Sequence, residues 1–424
     1  MIEKKEGKKE RVNMDFQTKL RNYADLLVTH GLNIQEGQML NLTAEICHQE
    51  LAYLVAEAAY ERGAKFVQVD FIDPRLERLR IQKSSEENLQ FVPQWISAKY
   101  NELVDDKAAN MRILGSEFPD ILSDLDPQAV NNMRMAQRGA IKYFYEVGIG
   151  RSKVHWTLGA AATPAWAKKL FPLLDEDEAC ARLWDEIFHI CRVDREDYLE
   201  AWREHNDHLH QRCAVLDKLK IECLHFTGPD TDLKVYLSEH AKFKGGGDQG
   251  PFGVEFEPNI PTEECFTTPN RKRTEGKVKT TRPFFINGVL IEDLVLEFKE
   301  GKISNFTASS GSETFSAYIN SDEGASYLGE VALVGIDSPV YQSGHVFQEI
   351  LYDENAACHI AVGMAYKFCI RDQEKMSAED FIHIGCNESK VHTDMMISSE
   401  KVDVVAHSFS GEEHLLIKNG EWQI

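Results

Sequence analysis

The sequence predicts an α/β N-terminal domain with a mainly parallel sheet, followed by an α+β C-terminal domain rich in antiparallel strands. Three observations carry this reading. Helical and strand periodicities alternate from Phe16 to Phe71. Two strongly charged helical stretches then lie between about 175 and 219. Beyond them, turn signals between short apolar runs point to hairpins.

In the first half, Phe16, Leu20, Tyr23 and Leu27 recur at helical spacing, and Gly31 can close that helix. Gln38 to Leu42 reads as a strand, Glu50 to Arg62 as an Ala-rich helix ended by Gly63, and Lys65 to Phe71 as a second strand. Strand, helix, strand implies a right-handed crossover and parallel pairing. Further strands are expected at Met111 to Leu114 and Lys153 to Leu158. Thr163-Pro164 supplies an N-cap and a first-turn proline. Charged helices follow at Asp175 to Cys191 and Arg195 to Leu219.

In the second half, Ile221 to Phe226 and Leu233 to Leu237 read as strands. Lys244 to Gly250 is glycine-rich but lacks the Gly-Lys-Ser/Thr of a phosphate loop, so it reads as a flexible connection. Asn287-Gly288, between Phe284 to Ile286 and Val289 to Phe298, is a type I′ turn signature. Glu300-Gly301-Lys302 turns the chain again into Ile303 to Ala308. A helix carrying Tyr366 is expected over Asp353 to Ile370. The domain boundary is expected between about 215 and 250, giving an extension at 1–13 and domains at 14–230 and 231–424.

A chain of 424 residues with 43% apolar residues is long enough for two such cores. Its net charge of -22 argues against nucleic acid or an anionic membrane as a partner and favours solubility. Met1 to Val12 is rich in Lys and Glu, with no apolar signal-peptide core, and reads as a disordered extension. No apolar run reaches membrane-spanning length. Nine scattered cysteines without a CxxC read as reduced thiols in a cytoplasmic protein, which leaves the Asn-x-Ser/Thr matches at Asn41, Asn305 and Asn387 without a glycosylation message.

Four clusters in the second half carry chemistry: Pro261-Thr262-Glu263-Glu264, Leu328-Gly329-Glu330-Val331, Asp353-Glu354-Asn355-Ala356-Ala357-Cys358-His359, and Asn387-Glu388-Ser389-Lys390-Val391-His392-Thr393-Asp394. Glu330 and His359 sit among apolar neighbours, where an unpaired carboxylate is expensive to bury and a cation is one remedy. On the expected helix His359 and Tyr366 share a face, with Glu354 at its start. On a strand His392 and Asp394 point to one side. Imidazole with several carboxylates suits zinc, cobalt or manganese. About five ligands exceed the needs of one tetrahedral zinc and suggest two ions sharing a carboxylate, about 3.5–4 Å apart. Each feature also has a plainer reading. His-x-Asp is often a surface pair, Pro-Thr-Glu-Glu a good turn start, and Glu354 a favourable charge at a helix N-terminus. Tyr366 alone reads equally as a core residue, so spacing leaves a metal site and a set of structural groups both open. His205, His208 and His210 lie on a charged helical stretch and read as a solvated face, and His345 as packing or loop.

These blocks, in this order and spacing, resemble the aminopeptidase T and aminopeptidase S family of metallo-aminopeptidases. The further matches are Asn259-Ile260 before the Glu pair, Ile360-Ala361 after His359, and Gly385-Cys386 before Asn387. The resemblance covers most of the chain and is more specific in the C-terminal half. It implies Glu264, Glu330, His359, His392 and Asp394 as metal ligands, with Glu330 shared between two ions. It implies Tyr366 as an active-site residue and Glu354 as either ligand or proton acceptor; as a matter of mechanism, Glu263 is a second candidate acceptor beside Glu354. The implied cofactors are two divalent ions, zinc or cobalt before manganese or magnesium. The implied partners are peptides with a free N-terminus and a second copy of the chain. Departures are Cys265 and Cys358 beside ligands, and a stretch between His359 and His392 consistent with an insertion around 371–379. The rivals are a metal-dependent amidase or esterase, a non-catalytic metal- or peptide-binding protein, and a nucleotide-binding α/β protein. The last lacks any GxGxxG or phosphate loop.

Overall fold

A computed structural model describes residues 14–424; the extension expected at 1–13 lies outside the described residues. The first sheet contains strands Met39–Glu45 (β1), Phe66–Ile72 (β2), Ala109–Leu114 (β3) and His155–Ala160 (β4). Its order is β2-β1-β3-β4, with every neighbouring pair parallel. The helix Gln49–Glu61 makes the predicted crossover from β1 to β2. Leu40, Leu42 and Ala44 alternate along β1 and pack into one core with Leu20, Tyr23 and Leu27. The side chain of Thr163 caps the helix Pro164–Leu170, as its sequence predicts.

From Ile221 onward the sheets are antiparallel. An eight-stranded sheet contains Ile221–Gly228 and Thr231–Leu237 at its centre, and later strands including Pro269–Lys279 and Asp403–Ser408. Asn287 and Gly288 both adopt positive φ, +50° and +82°, as a type I′ turn requires. A separate four-stranded sheet has the order His392–Met396, His359–Gly363, Leu328–Leu333, Cys265–Thr267. Val331, Ile360, Val362 and Met395 on these strands belong to the second hydrophobic core.

The two halves are stitched together at the first sheet's edge. Leu158 of β4 bridges Asn259 in parallel, with Leu158 N–H donating to Pro258 O at 2.8 Å and Ile260 N–H to Leu158 O at 3.0 Å. A cis peptide joins Ile260 to Pro261, and the chain then enters the sheet that begins at Cys265.

Three expectations are corrected. The helix over 353–370 does not exist: a short helix Ile350–Asp353 and a 3₁₀ turn Glu354–Ala356 lead into the strand His359–Gly363. That strand is buried on both faces and therefore reads as an unbroken apolar run, which periodicity cannot separate from a buried helix. Gly363 settles the matter, because its φ is +106° and an added Cβ would lie 2.0 Å from Val391 O. Next, Lys244–Gly250 is not a loose connection. Gly247 N–H donates to Asn206 Oδ1 at 2.6 Å, and Lys244 exchanges backbone hydrogen bonds with Phe266. Finally, the His205 helix is not a wholly solvated face: His208 is exposed, but His205 is largely covered and lies 2.7 Å from Thr262 O through Nε2.

Candidate metal centre

Strand register explains how residues far apart in sequence converge. Ala361 pairs with Asp394, Gly363 with His392, and His359 with both Met396 and Ala332. Glu330 pairs with Ala361 beyond a bulge at Leu328/Glu330. Directly paired residues project to the same face, as do residues two apart on one strand. Glu330, His359, His392 and Asp394 therefore share one face. Glu264 joins them from just before Cys265, whose strand pairs with Leu328–Leu333.

The distances are short. His359 Nε2 lies 3.1 Å from Glu264 Oε2 and 4.0 Å from both Glu330 Oε1 and Asp394 Oδ1. His392 Nε2 lies 3.2 Å from Glu330 Oε2 and 3.4 Å from Asp394 Oδ1. Two groups emerge, Glu264–Glu330–His359 and Glu330–His392–Asp394, each with ligand atoms within 4.8 Å of one another and Glu330 common to both. All except the partly covered His392 are buried.

The imidazole tautomers sharpen this. His359 Nδ1 lies 3.2 Å from Ala357 O, and His392 Nδ1 lies 2.8 Å from Met364 O. A carbonyl only accepts, so each Nδ1 carries a proton and each Nε2 is left facing the carboxylates. Lone pair facing carboxylate is repulsive without a cation or a second proton between them. His392 Nε2 and Glu264 Oε2 are accordingly buried with no hydrogen-bond partner. The residues present fit a group of divalent cations.

Electrostatics agree. Burial pulls the His359 pKa down, but Glu264, Asp394 and Glu330 outweigh it and push it up to about 10. Burial lowers His392 too, yet Asp394 and Glu330 carry it well above its usual value. Burial, then the neighbouring Glu264 and Asp394, raises Glu330 to about 7 despite His392. Burial acts against ionised Asp394, but His392 and His359 win and hold its pKa below normal.

The remaining predicted residues are placed as follows. Glu354 lies in the 3₁₀ turn, within the field of Glu264, Asp394 and His359; burial first and those carboxylates next push its pKa well up. Asn259 Nδ2 donates to Glu354 Oε1 at 3.3 Å. Tyr366 follows the strand His359–Gly363, with its ring 4.9 Å from that of His392 and stacked 5.0 Å from Phe368. Glu263 carries an ion pair elsewhere, 2.7 Å from Arg192 Nη2. Sequence reasoning missed Asn355, whose Oδ1 accepts from Glu263 N–H at 2.7 Å and whose Nδ2 donates to Leu351 O at 2.9 Å. Its position between Glu354 and the His359 block was the available signal.

Three buried carboxylates, Glu264, Glu330 and Asp394, converge with two oriented imidazoles beside one sheet, a candidate metal centre of the kind that serves metal-dependent hydrolases. Comparison with known proteins narrows this. The model of the family of thermophilic metalloproteases M29 matches residues 16–422, and the chain belongs to that family. It is 39% identical over 409 residues to aminopeptidase T of Thermus thermophilus, covering 96% of this chain and 99% of that protein. It is 35% identical over 407 residues to aminopeptidase AmpS of Bacillus subtilis, with 96% and 99% covered. The solved structure of wild-type AmpT from Thermus thermophilus superposes with a TM-score of 0.90 at 37% identity, covering 97% of this chain and 100% of that one.

Proposed function

We propose that this metal-dependent aminopeptidase removes N-terminal residues from peptides at a centre of two dications held by Glu264, Glu330, His359, His392 and Asp394. The observation that carries the reading is the pair of Nε2 atoms, with each Nδ1 turned to a backbone carbonyl, directed at a surplus of buried carboxylates. Charge supports the count: Glu264, Glu330, Asp394 and Glu354 bring up to four negative charges, which two dications balance. Zinc or cobalt suits this donor set first, with manganese or magnesium as further possibilities. Ions held there would polarise the scissile carbonyl and lower the pKa of a bound water toward neutrality.

The protein's own groups do the rest. Glu354, oriented by Asn259, takes the proton of the attacking water and returns it to the leaving amine. The Tyr366 hydroxyl donates to the developing oxyanion.

The division into 14–230 and 231–424, a cytoplasmic location and a homodimer belong to the same proposal. Free thiols at all nine cysteines support the second. Exposed Phe66, Phe71 and Ile72 on edge strand β2 support the third. No helix among the described residues is long and apolar enough to cross a membrane.

The test is hydrolysis of aminoacyl-p-nitroanilides and short peptides by metal-stripped protein, with zinc, cobalt, manganese or magnesium restored singly. Stepwise, metal-dependent release of N-terminal residues is expected, with N-acetylated peptides untouched. Tight metal binding without peptide cleavage would sink the peptidase reading.

A further inference from the structure

Among the five proposed ligands, Glu264 is anchored differently. Glu330, His359, His392 and Asp394 all lie within paired strands whose register fixes them. Glu264 lies just outside the ladder, between the turn at Pro261 and the strand beginning at Cys265. Its placement must come from other contacts, and these converge on the residues immediately before it.

Thr262 O lies 2.7 Å from His205 Nε2. Glu263 Oε1 accepts from Arg192 Nη2 at 2.7 Å, and Glu263 Oε2 lies 3.5 Å from His205 Nε2. Arg192 Nη2 is also 3.4 Å from His205 Nδ1. The guanidinium sits over the Trp202 ring at 5.2 Å, and Trp202 Nε1 donates to Cys191 O at 2.7 Å. The ion pair is largely withdrawn from solvent, with side-chain exposures of 17% for Arg192 and 8% for Glu263. Such a pair holds geometry firmly, because removing one partner strands the other charge. Arg192 has a left-handed φ of +59°, immediately beyond the C-cap Cys191 of the helix Glu176–Ile190, which fixes where its side chain starts.

On an extended chain, neighbouring side chains leave on opposite sides. With Glu263 drawn toward Arg192 and His205, Glu264 is turned toward His359. From the other side, Gly245 packs so closely that an added Cβ would stand 2.4 Å from Glu264 O. No contact in this set reaches His392 or Asp394.

We propose that Arg192 and His205, gripping Glu263 and Thr262, form a clamp that positions Glu264 and so tunes one of the two metal sites, Glu264–Glu330–His359, while leaving Glu330–His392–Asp394 unaffected. In this role Glu263 is a positioning residue. The inference rests on the two-ion reading given above.

The experiment is zinc titration of the metal-free full chain by calorimetry and by competition with a chromophoric chelator, with stoichiometry checked by elemental analysis. Wild-type protein should show two binding events. Glu264→Gln should remove one of them, which identifies it. Glu263→Gln should weaken that same event about tenfold to a hundredfold and leave the other within about twofold, as expected when a residue orienting a ligand is lost. Arg192→Lys keeps the charge but loses the fork, so it should weaken the same event by less. A merely structural role would move both events together or lower thermal stability without separating them. Equal shifts of both events, or none in Glu263→Gln and Arg192→Lys, overturn the clamp alone. A wild-type protein that binds one ion, or a Glu264→Gln protein that keeps both, overturns the two-ion centre and the clamp with it.

Discussion

Two buried clusters in this molecule use the same side chains and reach opposite electrostatic states. In the first, His30 Nε2 and Glu257 Oε2 face each other at 3.9 Å, and neither atom has a hydrogen-bond partner. Burial lowers the His30 pKa to about 4, and burial raises that of Glu257 well above its usual value. Burial thus disfavours the charged form of both groups. In the candidate metal centre, the same kind of burial opposes charge on His359, yet its pKa is pushed up to about 10. The difference is stoichiometry. One imidazole beside one carboxylate escapes desolvation by shedding charge. Among Glu264, Glu330, Asp394 and Glu354 the strain is instead shared, with Glu330 and Glu354 pushed toward their protonated forms and both histidines toward their charged ones, an arrangement that cations would relieve. Within this molecule, burial of a histidine beside an acid therefore does not by itself distinguish the two clusters; the number of acids around it does.

The largest effect that would break this contrast is loss of the shared carboxylate. Glu330→Gln removes one charge from both groups of ligands while keeping size and burial. Turnover is expected to fall at least about a thousandfold, equivalent to about 4 kcal/mol of barrier. Metal content should fall in the same protein. Steady-state kinetics with elemental analysis reads both, and near wild-type values for the two together would remove Glu330 from the centre.

The His30 cluster makes a prediction in pH. His30 has a folded pKa of about 4, below its ordinary value of 6.5. A depressed folded pKa contributes stability that is fully present above the unfolded value and is lost as pH falls through the folded one. The unfolded chain takes up that proton first, so the His30 contribution should fall between about pH 6.5 and pH 4, by up to about 3 kcal/mol, while the raised pKa of Glu257 works in the opposite direction. His30→Gln cannot bind the proton, and its stability curve should be flatter over that window. Denaturant midpoints at pH 7, 5.5 and 4.5 compare the two proteins. Parallel curves would mean that His30 is already solvated and that the contrast between the clusters is not one of burial.

Much of the architecture was legible because its signals are local. The crossover at Gln49–Glu61, the cap at Thr163 and the turn at Asn287-Gly288 each depend on residues within a short window. For His392 and Asp394 the sequence offered only a conditional reading, that on a strand they share a side, and the strand His392–Met396 meets that condition. The strand His359–Gly363 was not legible, because burial on both sides erases period two, and so the helical argument joining His359 to Tyr366 fails although both residues reach the centre. What sequence could not express was pairing across distance. The contact of Arg192 with Glu263 spans 71 residues, and that of His205 with Thr262 spans 57. Nothing in either local pattern announces such a partner, and the charges around His205 pointed to solvent.

The smallest of these effects tests whether the charged face also needs an uncharged donor. Tyr366 is held by its ring, stacked on Phe368, edge-on to Phe266 at 5.9 Å and against His392. Tyr366→Phe keeps all three ring contacts and deletes only the hydroxyl. Burial and the surrounding carboxylates raise that hydroxyl's pKa well above its ordinary value, so it stays protonated and able to donate. If it donates to the oxyanion, kcat should fall about a hundredfold, close to 2.7 kcal/mol, with KM, metal content and thermal stability little changed. A drop in stability or metal binding with kcat preserved would assign Tyr366 to packing around His392 instead. Then neutralising a surplus of carboxylates, the feature that separates this cluster from the one at His30, would have to account for catalysis without a hydroxyl donor.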